Sequence, residues 1–416
     1  MSNFNKLIDR YDRYFLYYLN KIISPFDKPT RKFYIDTIYG ILKCQSIILS
    51  DIAYALNEKI MLKKTIERLS RFLDRPFDIE CRNNLLLKTL TLMNKDLKVF
   101  SVDDTDVTKP YGNKFESLGL VKDGSSLKGN IEKGYRVSCI TAISSITKHP
   151  IPIYDVFHSE TQKGFSSVNA ITFKGLEFIC SHLKDYEGLF VFDRGYDDNK
   201  IINFFKKHKQ YFVIRMKKNR KIITNQGKTL MILEGINRKG KIIINTRHKG
   251  KAAEIKASSI KMKLLNNNTE YSLVYSFLNH GKEPAIFLTN QKINCKEDII
   301  KTVLSYLSRW KIEEQFRFKK NALNFEDFRV RTLNRINNLT LCLDISIGFM
   351  VHLIENNSDL YNYLISTSKN LKGDDAYLKF YQLLSGIKTL LGHKEMGIKN
   401  KEKIEHRNQN IQLTLF

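Results

Sequence analysis

The chain has 416 residues, 42% of them hydrophobic, which is enough for two or three domains with cores of their own. Its 69 Lys and Arg residues against 43 Asp and Glu residues give a formal net charge of +26. Such an excess favours a polyanionic partner, either nucleic acid or an acidic membrane surface. The six cysteines stand singly, without a CxxC pair, which argues against a zinc site and against a disulfide framework.

Membrane association has little support in the sequence. The longest apolar stretch, residues 339–354, is too short to span a bilayer and contains Asp344, so we expect a buried core helix there. The N-terminus alternates charged and aromatic residues and lacks the segments of a secretory signal. We therefore expect a cytoplasmic protein whose charge favours nucleic acid.

Residues 1–95 are predicted to form a helical N-terminal DNA-binding domain. Apolar side chains such as Tyr11 and Phe15 recur with the spacing of a helix face. Further along, Ser50 is a plausible N-cap, the helical pattern breaks near Asn57, and a basic helix follows. This arrangement fits a DNA-binding helix-turn-helix, and it fits two simply packed helices equally well.

Short runs rich in β-branched and aromatic residues begin at Leu97. The runs LKVFSVDD, YRVSCITAISS and PIPIYDVF predict three strands, after which helix and strand alternate. This order predicts an α/β fold, a mixed sheet flanked by helices, over residues 96–216. Residues 217–290 are basic and strand-like, which predicts a β-rich insertion. Helices return over residues 291–365, and residues 366–416 should form a helix and a flexible tail.

Carboxylates follow two of the predicted strands. Asp103 and Asp104 come at the end of the first strand, and Asp193 ends the strand GLFVF. Carboxylates at neighbouring strand ends can meet at one edge of a sheet, so these residues are candidate metal ligands. An Asx turn or a helix cap would explain each of them as simply.

A third candidate carboxylate lies in the predicted helix YLSRWKIEEQFRFKK. An aromatic residue, two cations and a carboxylate recur there at intervals of three, four and seven residues, which places them on one helix face. This stripe consists of Tyr306, Arg309, Glu313 and Lys320. A solvated face with ion pairs offers the same pattern. The combination of this stripe with two strand-ending aspartates is rarer than the stripe alone. The combination therefore favours a site built from Asp103, Asp193 and Glu313.

Three carboxylates suit the cleavage and transfer of phosphodiesters. The reaction builds negative charge on the attacking and the leaving oxygen, and two metal ions about 4 Å apart can stabilise both. Mg²⁺ prefers carboxylate oxygens and keeps several water ligands. The sequence therefore predicts a site for two Mg²⁺ ions, for which Mn²⁺ can substitute.

These residues resemble the insertion-sequence transposases of the family numbered four. The signature of that family is Tyr, two residues, Arg, three residues, Glu, six residues and Lys, and the stripe ending at Lys320 matches it in identity and spacing. The phrase DRGY at residues 193–196 is similar to the family's second-aspartate block, and DDTD at residues 103–106 resembles its first. The resemblance covers roughly residues 97–350.

The resemblance implies a DDE transposase that cuts transposon ends and joins them to target DNA by cut-and-paste through a hairpin intermediate. Residues 96–216 and 291–365 would be the two parts of an RNase H-like catalytic domain. A homodimer would pair two double-stranded DNA ends in the bacterial cytosol, at the nucleoid. Tyr306, Arg309 and Lys320 would hold the phosphates and an extruded base of the end, while the three carboxylates would bind metal.

Several assignments stay open. Asp103 fits the family block best as the first metal ligand, but Asp104, on the other side of the strand, is an alternative. Glu314 competes with Glu313 but lies off the shared helix face. Further predicted DNA contacts are Trp310, Arg194, Arg215 and Lys217. The tryptophan also fits a core aromatic residue, and the last two also fit solvated charges.

Two other activities are compatible with these features. One is a DNA-binding protein derived from a transposase that has lost catalysis, and the other is an RNase H-like nuclease that cuts without joining. The intact carboxylates argue against the first. The Tyr, Arg and Lys that accompany Glu313 argue against the second, because a simple nuclease does not need to hold a specific DNA end.

The last residues resemble the short peptide by which bacterial proteins bind the DNA polymerase sliding clamp. On this interpretation Gln412, Leu413, Leu415 and Phe416 would insert into a groove of the clamp. A tail that folds back onto the core is the alternative.

Overall fold

The computed structural model describes residues 2–122, 129–224, 226–236, 240–248, 251–265, 269–279, 281, 283–368 and 376–393. The chain divides into two compact units. The first unit comprises Met1–Leu92, Asp104–Gly175 and Glu314–Phe416, and the second comprises Met93–Asp103 and Leu176–Glu313. The domain boundaries drawn from the sequence stay a prediction.

The described helices are α1 Ser2–Ile23, α2 Lys28–Cys44, α3 Leu49–Leu56, α4 Leu62–Leu73, α5 Ile79–Leu90, α6 Val168–His182, α7 Asn199–His208, α8 Lys296–Ser308, α9 Trp310–Leu323, α10 Leu333–Asn356, α11 Ser358–Ser366 and α12 Ala376–Gly392. The described strands are β1 Lys98–Thr108, β2 Gly119–Lys122, β3 Ile131–Ile143, β4 Pro150–His158, β5 Gly188–Phe192, β6 Tyr211–Arg215, β7 Lys221–Thr224, β8 Thr229–Met231, β9 Ile242–His248, β10 Lys251–Leu264, β11 Glu270–Leu278 and β12 Ala285–Thr289.

The helical character predicted for the N-terminal region is confirmed by α1 to α5. Tyr11 and Phe15 of α1 are fully buried, and both rings pack against Phe349 of α10. The expectation that Ser50 caps a helix is wrong, because α3 already begins at Leu49. Ser46 provides the hydroxyl at this helix start, where it accepts a hydrogen bond from the Ile48 N–H (3.1 Å).

The apolar stretch near residue 344 lies in α10, a buried helix of the first unit, as the sequence predicts. Among the described residues, α10 is the one helix long and apolar enough to cross a membrane, but 94% of its most apolar window is buried in the protein. Its one acidic residue in the interior, Asp344, is paired with Lys319 of α9. The helix is therefore part of the core, and its charge is compensated there.

Antiparallel strands form the sheet of the first unit. β3 lies between β2 and β1 in the strand order, and it also pairs with β4. The second half of β1 runs beside β3, since the Lys109 N–H donates to the Lys133 carbonyl (2.6 Å). Gly134 permits this close approach, because a Cβ there would lie 2.3 Å from the Val107 carbonyl oxygen.

Parallel and antiparallel strands combine in the second unit. The first half of β1 pairs in parallel with β5, and β5 pairs in parallel with β6. The order continues through β12, β11, β10, β7 and β8, while β9 pairs with β10. The apolar core contains Val191, Val213, Val274 and Phe287 from the strands, and Ile299 and Val303 of α8 pack onto it.

This arrangement confirms the predicted α/β fold, an RNase H-like mixed sheet flanked by helices and preceded by a helical region. The β-rich segment is also confirmed, since β7 to β12 occupy residues 221–289. β2 was not expected, because it is short and carries no periodic pattern long enough to be recognised in the sequence.

Candidate active site

Two of the predicted ligands lie at adjacent positions of paired strands. The parallel ladder of β1 and β5 ends with Val102 opposite Phe192. The next residues are Asp103 and Asp193, so the two carboxylates leave neighbouring strands that are about 4.8 Å apart. The structure thus brings these two aspartates together in the second unit, at the carboxyl end of the parallel ladder.

The expectation that Asp103 ends its strand is wrong. β1 continues to Thr108, and its second half pairs within the first unit. Only the ladder with β5 stops before Asp103, because β5 itself ends at Phe192. Asp104 follows on the opposite side of β1 and belongs to the first unit.

Helix α8 positions Arg309 and the start of α9, which carries the third carboxylate, Glu313. The α8 residues Ile299, Val303 and Tyr306 recur every three to four positions and pack on the apolar core of the second unit, which sets the rotation of the helix. The predicted single helix is divided at Arg309, where the backbone N–H bonds to the Tyr306 carbonyl (3.0 Å), in the i→i+3 manner. Arg309 keeps a right-handed helical conformation, so Glu313 still follows it on the same side.

Arg309 holds two of the three carboxylates. Its Nη1 donates to Asp103 Oδ2 (2.7 Å), and its Nη2 donates to Glu313 Oε1. The side chain of Arg309 is 14% exposed, against 21% for Asp103 and 32% for Glu313. Burial by itself lowers the pKa of Arg309, but the nearby charges, that of Asp103 first, raise the pKa above its ordinary value. The guanidinium therefore stays charged and offsets part of the negative charge of the two carboxylates.

Asp193 is held by its own turn. Its carboxylate accepts a hydrogen bond from the Gly195 N–H, and it caps the short 3₁₀ turn Arg194–Tyr196. The strand-ending turn that the sequence offered as an alternative thus exists. The side chain is only half-buried, and a capping carboxylate keeps lone pairs for a further ligand.

The donor set fits a hard divalent cation, although the carboxylates are not yet gathered around one. Asp103, Asp193 and Glu313 offer only carboxylate oxygens, which Mg²⁺ prefers. Among the described residues, no three His, Cys, Asp or Glu side chains are grouped closely enough to hold a metal ion. Two of the three carboxylates are kept apart by Arg309, whose guanidinium lies between Asp103 and Glu313.

The other members of the predicted stripe lie in different surroundings. The ring of Tyr306 packs against Phe287, with centroids 4.2 Å apart, at the border of the second unit's core. Trp310 is half-buried at the start of α9. Lys320 belongs to the first unit, where it donates to the Asp106 carbonyl (3.2 Å) and pairs with Glu326 (2.8 Å).

A polar pocket of about 440 Å³ lies beside the 3₁₀ turn in the second unit. Its lining includes Lys217, Arg220 and Lys221 together with Asp197. Asp197 accepts a hydrogen bond from the Lys217 N–H (2.9 Å) and forms an ion pair with Arg220. Lys217 is one of the predicted DNA contacts, whereas Arg220, which belongs to the same basic run KKNRK, was not predicted.

Two predicted DNA contacts remain to be located in the second unit. Arg194 is exposed in the 3₁₀ turn, and Arg215 is half-buried at the end of β6. The tail residues Gln412, Leu413, Leu415 and Phe416 lie outside the described residues, so the clamp-binding peptide stays a prediction.

Sequence reasoning also missed a buried charge cluster in the first unit. Lys319 of α9 contacts Asp155 of β4 and Asp344 of α10 (2.6 Å), and all three side chains are at most 1% exposed. Asp344 within an apolar stretch was the one signal of it. No pattern in the sequence pointed to the partners, which lie 164 and 25 residues from Lys319.

Part of the chain matches a known protein family. Residues 172–343 match the family model of the transposase DDE domain, a stretch that includes Asp193, Arg309 and Glu313 but not Asp103. The match supports a DDE transposase, an enzyme of the endonuclease and transferase type that acts on DNA. No curated protein matches the chain. The family numbered four and its signature stay a prediction.

Proposed function

We propose that this chain is a transposase that cuts the two ends of its own transposon and joins them to target DNA by two-metal phosphoryl transfer. The observation that carries the proposal is the meeting of Asp103 with Asp193 on paired strands and with Glu313 through Arg309. Asp103 is preferred to Asp104 as the first ligand for the same reason. Two bound Mg²⁺ ions would stabilise charge on the attacking and leaving oxygens.

Arg309 links metal binding to DNA binding in this proposal. Its guanidinium must release Asp103 and Glu313 before both carboxylates can act as metal ligands. A DNA phosphate accepts the same two-pronged hydrogen bonding that a carboxylate does, and arginine favours such planar recognition. A phosphate of the transposon end would therefore draw Arg309 away from the carboxylates as the end is bound.

The remaining predicted residues would act on the DNA. Lys320, Trp310, Arg194, Arg215 and Lys217 would contact phosphates or an extruded base, while the packing of Tyr306 on Phe287 would keep Arg309 in place. We further propose a homodimer that pairs two ends, a hairpin intermediate at the cut end, cytoplasmic location and binding of the sliding clamp through residues 412–416. These points rest on the sequence resemblance.

The experiment uses the purified full chain with duplexes that span the two borders of the gene, in Mg²⁺. Asp193→Asn and Glu313→Gln should keep binding the duplexes but lose nicking and joining by at least about 100-fold, because each removes a metal-binding charge. Denaturing gels would resolve nicked, hairpin and joined products, and band shifts would report binding.

Matched controls are Asp185→Asn and Glu177→Gln, which make the same isosteric changes at exposed positions of the second unit. They should nick and join like the wild type. Robust joining by Asp193→Asn or Glu313→Gln would disprove the metal site. Nicking without joining by the wild type would favour the nuclease, and binding without nicking would favour the silent DNA-binding protein.

A further inference from the structure

Asp193 lies beyond the last paired residue of its strand, in a short turn. The ladders that join β5 to β1 and to β6 both end at Phe192. The 3₁₀ turn that Asp193 caps has three residues, of which Arg194 and Gly195 are exposed. Hydrogen-bond geometry in a 3₁₀ turn is poorer than in an α-helix. The position of the Asp193 carboxylate therefore depends on what fixes this turn.

Asp197 follows the turn directly, and its side chain is fully buried. One of its carboxylate oxygens accepts a hydrogen bond from the Lys217 N–H (2.9 Å). The other oxygen forms an ion pair with the guanidinium of Arg220, whose side chain is 19% exposed. The same guanidinium donates to the side chain of Asn199 at the start of α7. Arg220 thus connects the residue after the turn with the helix that follows it.

The backbone on the other side of this ion pair is anchored in the sheet. Lys217 comes two residues after β6, and the Met216 N–H before it donates to the Ile286 carbonyl of β12 (2.8 Å). The Arg220 carbonyl accepts a hydrogen bond from the Ile232 N–H (2.9 Å), just before β7 begins. The ion pair therefore connects the turn with the first residues of the β-rich segment.

We infer that Asp197 and Arg220 are positioning residues for the metal ligand Asp193. Neither residue would touch a metal ion. Their ion pair would keep the turn in the one conformation in which the Gly195 N–H donates to the Asp193 carboxylate. A ligand that is held in place before binding loses less conformational entropy when the metal arrives. The role of Asp193 as a metal ligand rests on the proposed function, whereas the fixing of its turn does not.

Simple electrostatics predicts a different pattern from positioning. Loss of the Arg220 cation would strengthen the binding of a nearby Mn²⁺ ion, and loss of the Asp197 carboxylate would weaken it. The same opposite effects are expected if Asp197 is itself a metal ligand that Arg220 masks. Positioning instead predicts that both changes weaken the binding of Mn²⁺, because each of them releases the turn.

The first measurement is the affinity of the full chain for Mn²⁺, followed by electron paramagnetic resonance without DNA, so that contacts with phosphate do not contribute. Arg220→Met and Asp197→Asn should each weaken binding about 10- to 100-fold, the typical effect when a residue that supports a metal ligand is lost. The double variant should bind no more weakly than the weaker single variant, because all three lose the same contact.

Matched controls remove the same charges elsewhere in the second unit. Lys221→Met takes one cation from the same pocket, at an exposed position next to Arg220. Asp185→Asn makes the change of Asp197→Asn at an exposed position. Both controls should bind Mn²⁺ like the wild type.

The second measurement is hydrogen exchange followed by mass spectrometry, which reports on the turn without any metal ion. Peptides that cover residues 193–198 and 216–221 should exchange about tenfold faster in Arg220→Met and in Asp197→Asn, because hydrogen bonds to charged groups are lost. Peptides of β12 should exchange as in the wild type. Circular dichroism checks that each variant is folded.

Opposite effects of Arg220→Met and Asp197→Asn on the affinity for Mn²⁺ would overturn the inference, and so would unchanged exchange in the turn. Failure of the proposed function has a different signature. Exchange in the turn would still be faster in both variants, but Asp193→Asn would bind Mn²⁺ as tightly as the wild type. The two failures are therefore distinguishable.

Discussion

Arg309 and Lys319 each lie between two carboxylates, and the two clusters differ in burial. In the second unit Arg309 bridges Asp103 and Glu313, whose side chains are 21% and 32% exposed. In the first unit Lys319 bridges Asp155 and Asp344, with each side chain at most 1% exposed. We call the first cluster the open triad and the second the buried triad.

The difference in burial determines what each cluster can do. Water and ions reach the open triad, so its carboxylates can exchange the guanidinium for another cation at moderate cost. In the buried triad no ligand can replace Lys319, and removing it would leave charges in a medium of low polarity. The open triad is therefore suited to binding, whereas the buried triad holds α9, β4 and α10 together within the first unit.

The largest expected effect is on stability. Lys319→Met should lower the free energy of unfolding by about 3–5 kcal/mol, because it removes the one cation that forms ion pairs with the buried Asp155 and Asp344 among the described residues. Arg309→Met is the matched change in the open triad. It should lower the free energy of unfolding by less than about 1 kcal/mol, since water can solvate Asp103 and Glu313 once the guanidinium is removed. Urea unfolding followed by circular dichroism measures both. Equal losses would contradict the comparison.

A second effect concerns pH and the buried triad. Burial, followed by the charge of Asp155, raises the pKa of Asp344 from 3.8 to about 7, against the opposing effects of Lys319 and Arg82. Between these values the folded protein holds a proton that the unfolded chain has released, so the contribution of Asp344 to stability falls as pH rises from about 4 to about 7.

Asp344→Asn removes this titration. The stability of the variant relative to the wild type should therefore rise over the same pH window, by on the order of 2 kcal/mol. Urea unfolding at several pH values measures the difference. Asp185→Asn, the same change at an exposed position, serves as the control. A constant offset between Asp344→Asn and the wild type from pH 4 to pH 7 would rule out the assigned titration.

The smallest effect concerns the open triad. Arg309→Gln should bind Mn²⁺ about tenfold more tightly than the wild type in the absence of DNA, because no guanidinium competes for Asp103 and Glu313. Electron paramagnetic resonance of free Mn²⁺ measures the affinity. The single tryptophan of the chain, Trp310, adjoins the site and offers an independent fluorescence signal. Unchanged or weaker Mn²⁺ binding by the variant would show that Arg309 does not compete with the metal ion for Asp103 and Glu313.

Much of the candidate site could be predicted from local patterns. The strand before Asp193 and the helices around Glu313 have apolar periodicities that are visible within about fifteen residues. The same patterns did not predict where β1 ends. The strand continues past Asp103 to Thr108, because β3 pairs with its second half. They also failed at Arg309, where one predicted helix is divided into two.

The sequence by itself determined most of the order of helices and strands, the basic charge and the three candidate carboxylates. Only the tertiary structure decided which cation meets which carboxylate, and how deeply each pair is buried. Arg309 and Asp103 are 206 residues apart, and Lys319 and Asp155 are 164 apart. Periodicity describes neighbours within one element, whereas these contacts depend on how the elements pack. That is why the residues of the open triad were predicted without their contacts, and the buried triad was not predicted at all.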